Sequence, residues 1–262
     1  MTDPTPPPAA ETTQPFAGRT ALVVGASRGI GAATARMLGR RGARVLLASR
    51  DVPALETVAS EIRDAGGESR VLRVDLAVPE SIARLGPWID AAGGRLDIAF
   101  NNAGEGAPPQ PFAEVPPETF ERVVRTTVEG TFRAMREELP RMLESGGAIV
   151  NVSSTAGVGA FAGGAPYIAA KHAILGLTKS AAIDYAARGV RVNAVAPGPI
   201  ETDRIRALPE AYREPIRASV PMRRIGQPDE VASVVAWLCS DEAKFVTGAT
   251  VFVDGGRLAG WA

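Results

Sequence analysis

From Thr20 onward, short runs rich in Val, Leu and Ile alternate with longer amphipathic stretches. Strands that read as continuous apolar runs must be covered on both faces, and a parallel sheet sandwiched by helices supplies that cover. The runs Thr20–Val24, Arg44–Ala48, Arg70–Val74, Leu96–Phe100, Ala148–Val152, Arg191–Val195 and Thr250–Val253 read as strands. Between them, Ile30–Arg41, Pro53–Ala65 and Pro79–Ala91 carry helical periodicity, and Pro117–Leu143 and Pro166–Ala187 are read as long helices. Asp51 stands where it can cap the segment with Pro53 in its first turn, and Gly42 and Gly66 stand where they can stop helices. The expected fold is α/β: a doubly wound, seven-stranded parallel sheet in a single domain spanning residues 18–262. Residues 1–17, with Pro4, Pro6, Pro7, Pro8 and Pro15, lack the apolar content to join it and are expected to form an extended tail.

Composition removes several classes of function. Lys plus Arg number 29 and Asp plus Glu number 29, so the surplus of positive charge that a phosphate backbone demands is absent. Nucleic acid is not an expected partner. One Cys and one His preclude an internal disulfide and a Cys/His zinc site, so no metal is expected. No apolar run reaches the roughly 18 residues of a membrane span, and the first residues show no signal core, so a cytoplasmic protein without membrane contact is expected.

The first strand runs directly into Gly25-Ala26-Ser27-Arg28-Gly29-Ile30-Gly31, and a helix follows. Glycines there permit a tight turn and close backbone approach to a pyrophosphate, while the helix N-terminus offers unpaired N–H groups. In an open α/β sheet this loop falls where strand order reverses, the usual place for a dinucleotide. The second strand ends in Ser49-Arg50, where an NAD site would place an acid for the ribose hydroxyls. Arg50 and Arg28 are instead suited to the 2′-phosphate of NADP, with NAD the alternative. Asp75-Leu76 ends the third strand near an adenine position, and Asn101-Asn102-Ala103-Gly104 ends the fourth against the cofactor.

Tyr167 and Lys171 stand four residues apart on a predicted helix and share a face, so a phenol and an ammonium enter one site. That pair suits proton donation and acceptance. Thirteen residues before the tyrosine lies Ser154, whose hydroxyl can donate to a carbonyl oxygen as charge develops, with Ser153 the competing candidate. Further on, Pro197, Gly198, Ile200 and Thr202 close the sixth strand with groups able to hold a carboxamide. The segment Asp203–Gly226, with Arg204, Arg206, Arg213 and Arg217, reads as a flap over the substrate.

Taken together, GASRGIG, NNAG, the Ser–Tyr–Lys spacing, NAVAPGPIET and the closing VTGATVFVDGG resemble the short-chain dehydrogenase/reductase family from about Gly18 to Gly256. The 3-oxoacyl-carrier-protein reductases are the best-known members of the branch it resembles. The resemblance selects Ser154 over Ser153, implies Tyr167 as general acid/base, and gives Lys171 a second role in holding the nicotinamide ribose. It implies hydride transfer between NADP(H) and a ketone or secondary alcohol, a small-molecule partner, and a homotetramer built on the long helices. An NAD-dependent sugar or alcohol dehydrogenase and a non-catalytic nucleotide-binding protein are the alternatives. Two departures stand out: Val24 replaces the Thr that usually opens the glycine loop, and Thr127 replaces an Asn that assists proton relay.

Overall fold

Alternate residues of a strand face opposite sides of a sheet, so a strand buried throughout must feed two cores at once. A computed structural model, which describes residues 14–260, shows how this chain does so. β1 (Thr20–Val24) sends Ala21 and Val23 to one layer and Leu22 to the other, and all five of its residues are buried. The chain continues through α1 (Gly29–Arg40), β2 (Arg44–Ser49), α2 (Val52–Asp64), β3 (Glu68–Arg73), α3 (Pro79–Ile82), α4 (Leu85–Ala91) and β4 (Ile98–Asn101). Next come α5 (Pro117–Val124), α6 (Gly130–Glu138), β5 (Gly147–Val152), α7 (Ala165–Tyr185) and β6 (Val190–Pro197). The remainder is α8 (Asp203–Arg206), α9 (Glu210–Ala218), α10 (Pro228–Cys239) and β7 (Thr250–Val253).

The seven strands form one parallel sheet in the order β3-β2-β1-β4-β5-β6-β7. The chain therefore winds outward from β1 through β3, returns to the centre, and winds outward the other way from β4. Helices α1, α2 and α10 cover one face, with Leu38, Leu55 and Val235 fully buried against it. Helices α3, α4, α6 and α7 cover the other through Ile82, Ile89, Ala134 and Ala182. Each buried Leu or Val side chain contributes roughly 1.5–3 kcal/mol, so both layers stabilise the sheet held between them. Asp51 caps α2 as its position suggests, its Oδ1 accepting the Ala54 N–H at 3.2 Å. Among the described residues, no helix is long and apolar enough to cross a membrane.

Several expected boundaries move. The supposed tail through residue 17 ends sooner, because Phe16 is fully buried in the α1–α2 layer and its N–H donates to the Arg41 carbonyl at 3.0 Å. Its first thirteen positions lie outside the described residues. The helix expected over Pro79–Ala91 breaks between Ile82 and Leu85. Pro87 has no N–H to donate to the Ala83 carbonyl, so one continuous helix would lose a rung there. The helix expected over Pro117–Leu143 contains a π-helical turn at Arg125–Glu129 and tightens to a 3-10 turn at Leu139–Met142. β3 stops at Arg73, so Asp75 and Leu76 lie in the turn beyond it.

Candidate active site

The carboxyl ends of β1, β4, β5 and β6 open onto a cavity of about 510 Å³ at the point where strand order reverses. Of the glycine loop, Ile30 lines this cavity, and the loop itself is anchored to both neighbouring strands. The Gly25 N–H donates to the Ala48 carbonyl at 2.7 Å, which ties the loop to β2, and Asn102 Nδ2 donates to the Gly25 carbonyl at 3.0 Å, which ties it to the end of β4. Gly25 has φ +83°, and a Cβ built on it would lie 2.7 Å from the Ala103 nitrogen. A Cβ on Gly31 would overlap the Gly25 carbonyl. Any side chain at these two positions would fill the cradle and push α1 off the sheet. Ser27 sits in the loop's turn, and Arg28 precedes Gly29 in an extended conformation with no side-chain cap on α1. The first N–H groups of that helix are thus left without a side-chain acceptor, and an uncapped N-terminus beside a glycine cradle suits a diphosphate.

Charge near the end of β2 is arranged unevenly. Arg28 Nη2 lies 2.5 Å from Asp51 Oδ2. Asp51 is thereby occupied twice, by this pair and by its cap. Arg50 is exposed and makes no ion pair among the described residues. Asp75 turns its Oδ1 onto the Ala77 N–H at 2.9 Å, and Leu76 is buried against Gly130 of α6. Neither reaches the cavity wall.

The wall itself brings together Ile30, Asn102 and Gly104 from one side with Ser154, Tyr167 and Lys171 from the other. Pro197, Gly198, Ile200 and Thr202 close it from β6. Ala165–Tyr185 forms one helix, so Tyr167 and Lys171 share a face, with Lys171 Nζ 5.7 Å from the Tyr167 ring centroid. Lys171 is only 4% exposed, and its Nζ donates to the Val152 carbonyl at 2.8 Å. Burial pushes its ammonium down to about 8. The two serines, equivalent in sequence, part company here. Ser153 is buried and its hydroxyl donates to the Lys171 carbonyl at 2.8 Å. Ser154 Oγ accepts the Ala156 N–H at 3.1 Å, and its hydroxyl proton has no protein acceptor among the described residues.

Thr127 lies in the π-helical turn and is 1% exposed. Its Oγ1 accepts the Glu105 N–H at 3.0 Å. A Cβ on Gly104 would sit 3.4 Å from Lys171 Nζ and 3.6 Å from Thr127 Oγ1, so Gly104 leaves a shared niche for hydroxyl and ammonium. Asn101, the first residue of NNAG, turns away from the cavity. Its Nδ2 donates at 3.0 Å both to Glu138 Oε2 and to Asn151 Oδ1, and Asn151 Nδ2 donates to Thr178 Oγ1 at 3.0 Å. These groups bind β4, β5, α6 and α7 into a buried polar node. Burial pushes the Glu138 carboxyl up to about 8.

Sequence reasoning missed part of the wall. Phe161, between Ser154 and Tyr167, tilts toward Tyr167 with centroids 6.4 Å apart. Ala107 and Pro109 from the β4–α5 connection, and Ile205 and Leu208 from the flap, complete an apolar side. The signal for Phe161 was its place as the sole aromatic between Ser154 and Tyr167.

Comparison with known proteins agrees with this fold. Residues 25–257 match a family model described as enoyl-(acyl carrier protein) reductase. The chain is 42% identical to the cis-4-hydroxycyclohexanecarboxylate dehydrogenase of Sinomonas cyclohexanicum, over 93% of this chain and 98% of the relative. It is 40% identical to the A-factor type gamma-butyrolactone 1′-reductase (1S-forming) of Streptomyces virginiae, over 91% of this chain and 95% of the relative. The crystal structure of a short-chain type dehydrogenase/reductase from Mycobacterium marinum superimposes with a TM-score of 0.89 at 31% identity, covering 94% of this chain and 97% of that one. With its sheet order, its glycine cradle and near full-length likeness to such proteins, the chain belongs to the short-chain dehydrogenase/reductase family, nicotinamide-dependent oxidoreductases of alcohols and ketones.

Proposed function

We propose that this protein is an NADP(H)-dependent ketoreductase, reversible as a secondary-alcohol dehydrogenase, with Tyr167 as its general acid/base. The observation that carries the reading is the meeting of a free Ser154 hydroxyl, Tyr167 and buried Lys171 on one cavity wall. A bound nicotinamide would supply or accept the hydride. Gly25, Ser27, Gly29 and Gly31 with the start of α1 would hold its diphosphate, Ala103 and Gly104 would pack beside it, and Pro197, Gly198, Ile200 and Thr202 would face its carboxamide end. In reduction, Ser154 Oγ and the Tyr167 hydroxyl donate to the substrate carbonyl oxygen, and the phenol proton moves onto that oxygen as negative charge develops. Lys171, held by the Val152 carbonyl, places positive charge beside the phenolate that remains. In oxidation the same oxygen of Tyr167 takes the proton from the alcohol.

The preference for NADP is supported by Arg50, exposed and without an ion-pair partner among the described residues, at the end of β2. The acid beside it, Asp51, is committed to Arg28 and to the α2 cap. Should Asp51 release Arg28, it would accept from ribose hydroxyls, which is the observation behind an NAD-dependent second reading. The relatives named above act, by their names, on ring-bearing substrates, and a small cyclic ketone or alcohol is the substrate class we favour here. Phe120, Phe132 and Ile183 leave apolar surface exposed on α5, α6 and α7, which supports a homotetramer built on those helices.

The test is loss of nicotinamide absorbance with NADPH or NADH over cyclic ketones, keto-thioesters and sugars, for wild type beside Tyr167→Phe. Loss of a general acid removes roughly 10²–10⁴ of the rate. Turnover retained in Tyr167→Phe overturns the mechanism, and equal use of both cofactors overturns the preference.

A further inference from the structure

The flap carries arginines that are indistinguishable in sequence, and the structure separates them. Arg206 pairs with Asp203, Arg213 with Glu201, Arg217 with Glu214, and Arg224 with Glu230. Arg223 donates to the Ala218 carbonyl. Arg204 alone in the flap has neither a carboxylate nor a carbonyl partner among the described residues, and it alone of these lines the catalytic cavity. Its guanidinium lies over Gly106, where a Cβ would stand 2.7 Å from Nη1, so the β4–α5 connection leaves that space open.

The other charges on the wall are already answered. Glu105 is paired with Arg122 and accepts the Thr126 hydroxyl at 3.1 Å, and Lys171 donates to Val152. Arg204 is thus the one flap arginine on the wall without a protein partner among the described residues; it stands exposed at the cavity mouth, beside the apolar side formed by Ala107, Pro109, Phe161, Ile205 and Leu208 and across from the polar Ser154, Tyr167 and Lys171. A neutral group that enters there would leave the exposed guanidinium to solvent, whereas a carboxylate would pair with it in its planar fork. One that carries a dianion would be undercompensated by a single cation.

We propose that Arg204 is a specificity-determining residue that binds a carboxylate on the substrate, so that the preferred substrate is a small, apolar-bodied keto acid or hydroxy acid. This rests on the carbonyl-reductase reading above. The carboxylate docks on the planar guanidinium at the flap while the carbonyl reaches Ser154 and Tyr167.

The probes are 4-oxocyclohexanecarboxylate and its methyl ester, which differ in charge and share a ring. Wild type is expected to favour the acid, and Arg204→Ala to lower the ratio of kcat/KM for acid over ester roughly 10- to 100-fold, the span of a charge-assisted hydrogen bond, through KM more than kcat. Arg204→Lys should recover part of that ratio and make it more sensitive to salt. A ratio unchanged by Arg204→Ala overturns the proposal. Calorimetric titration of both probes into Tyr167→Phe enzyme holding NADP⁺ keeps the two readings apart. Binding that favours the acid and is lost with Arg204 supports the proposal independently of turnover. Ester reduction that needs Tyr167, without selective binding of the acid, overturns the proposal and leaves the reductase reading intact.

Discussion

Replacing Glu138 by Gln should change how stability depends on pH more than stability itself. The carboxyl is fully buried beside Asn101, and burial raises it from an ordinary 4.5 to about 8. A group whose folded value is raised contributes stability that is complete below 4.5 and lost as pH climbs through 8, because over that window the native state holds a proton that the unfolded chain has released. At 1.36 kcal/mol per unit of pKa, the loss between pH 5 and pH 8 is on the order of 3 kcal/mol. Gln keeps an oxygen to accept from Asn101 but cannot ionise. Its amide N–H₂ would face a site where Glu138 Oε1 already has no partner, at a cost of about 1–3 kcal/mol. The variant should therefore start below wild type at pH 5 and overtake it by pH 8. Urea melts of both proteins at one fixed concentration, run at pH 5, 6, 7 and 8, read this directly. Parallel stability curves would refute the reasoning, for they would mean that Glu138 ionises inside the fold as readily as outside it.

Arg50→Ala should weaken NADPH binding roughly 10- to 100-fold, as loss of a charge-assisted phosphate contact does, and barely alter NADH. Fluorescence titration checks this, and equal losses would remove Arg50 from the 2′-phosphate. Gly31→Ala forces a Cβ onto the Gly25 carbonyl, so stability should fall by about 1–3 kcal/mol and cofactor affinity with it, read by thermal melts with and without nucleotide. Lys171→Met should silence turnover yet be favoured at neutral pH, since burial depresses the ammonium from 10.5 to about 8. The unfolded chain holds the extra proton between those values, so wild type gains a few kcal/mol, on the order of 2, relative to the variant as pH rises from 8 to 10.5. Denaturation of both proteins across that range tests it.

Legibility followed unbroken apolar runs, whether or not the strand is buried. β1 and β7 begin and end where their apolar runs do, because nothing polar interrupts them. β3 is displaced because its sequence ESRVLR is broken by Glu68, Arg70 and Arg73, which are exposed, so the apolar run that marks a strand shifts toward Val74. Phe16 was hidden by the prolines and threonines around it, since one aromatic in a polar stretch carries no periodicity. At the site, helical spacing places Tyr167 and Lys171 on one face, while the roles expected of them come from the family resemblance. Ser153 and Ser154 are adjacent identical residues, and only the path of the chain after β5 decides which hydroxyl is spent on the Lys171 carbonyl. The same holds for the flap arginines, whose partners sit from three to twelve residues away. The π-helical turn had no sequence signature, because its residues suit an α-helix equally well.

The glycine loop is local in sequence but not in support. Its two anchors are the Ala48 carbonyl on β2 and the Asn102 side chain past β4, which flank β1 on opposite sides. The opposing wall arrives later in the chain, with α7 and β6. A nascent chain that has formed only β1, α1 and β2 owns the phosphate cradle's sequence without its shape. Parallel strands must also cross long connections before they pair, which makes their closure slow. Nucleotide therefore finds its seat only after the centre of the sheet has closed. It acts as a late clasp on a finished protein, and has no purchase as a template for an early one.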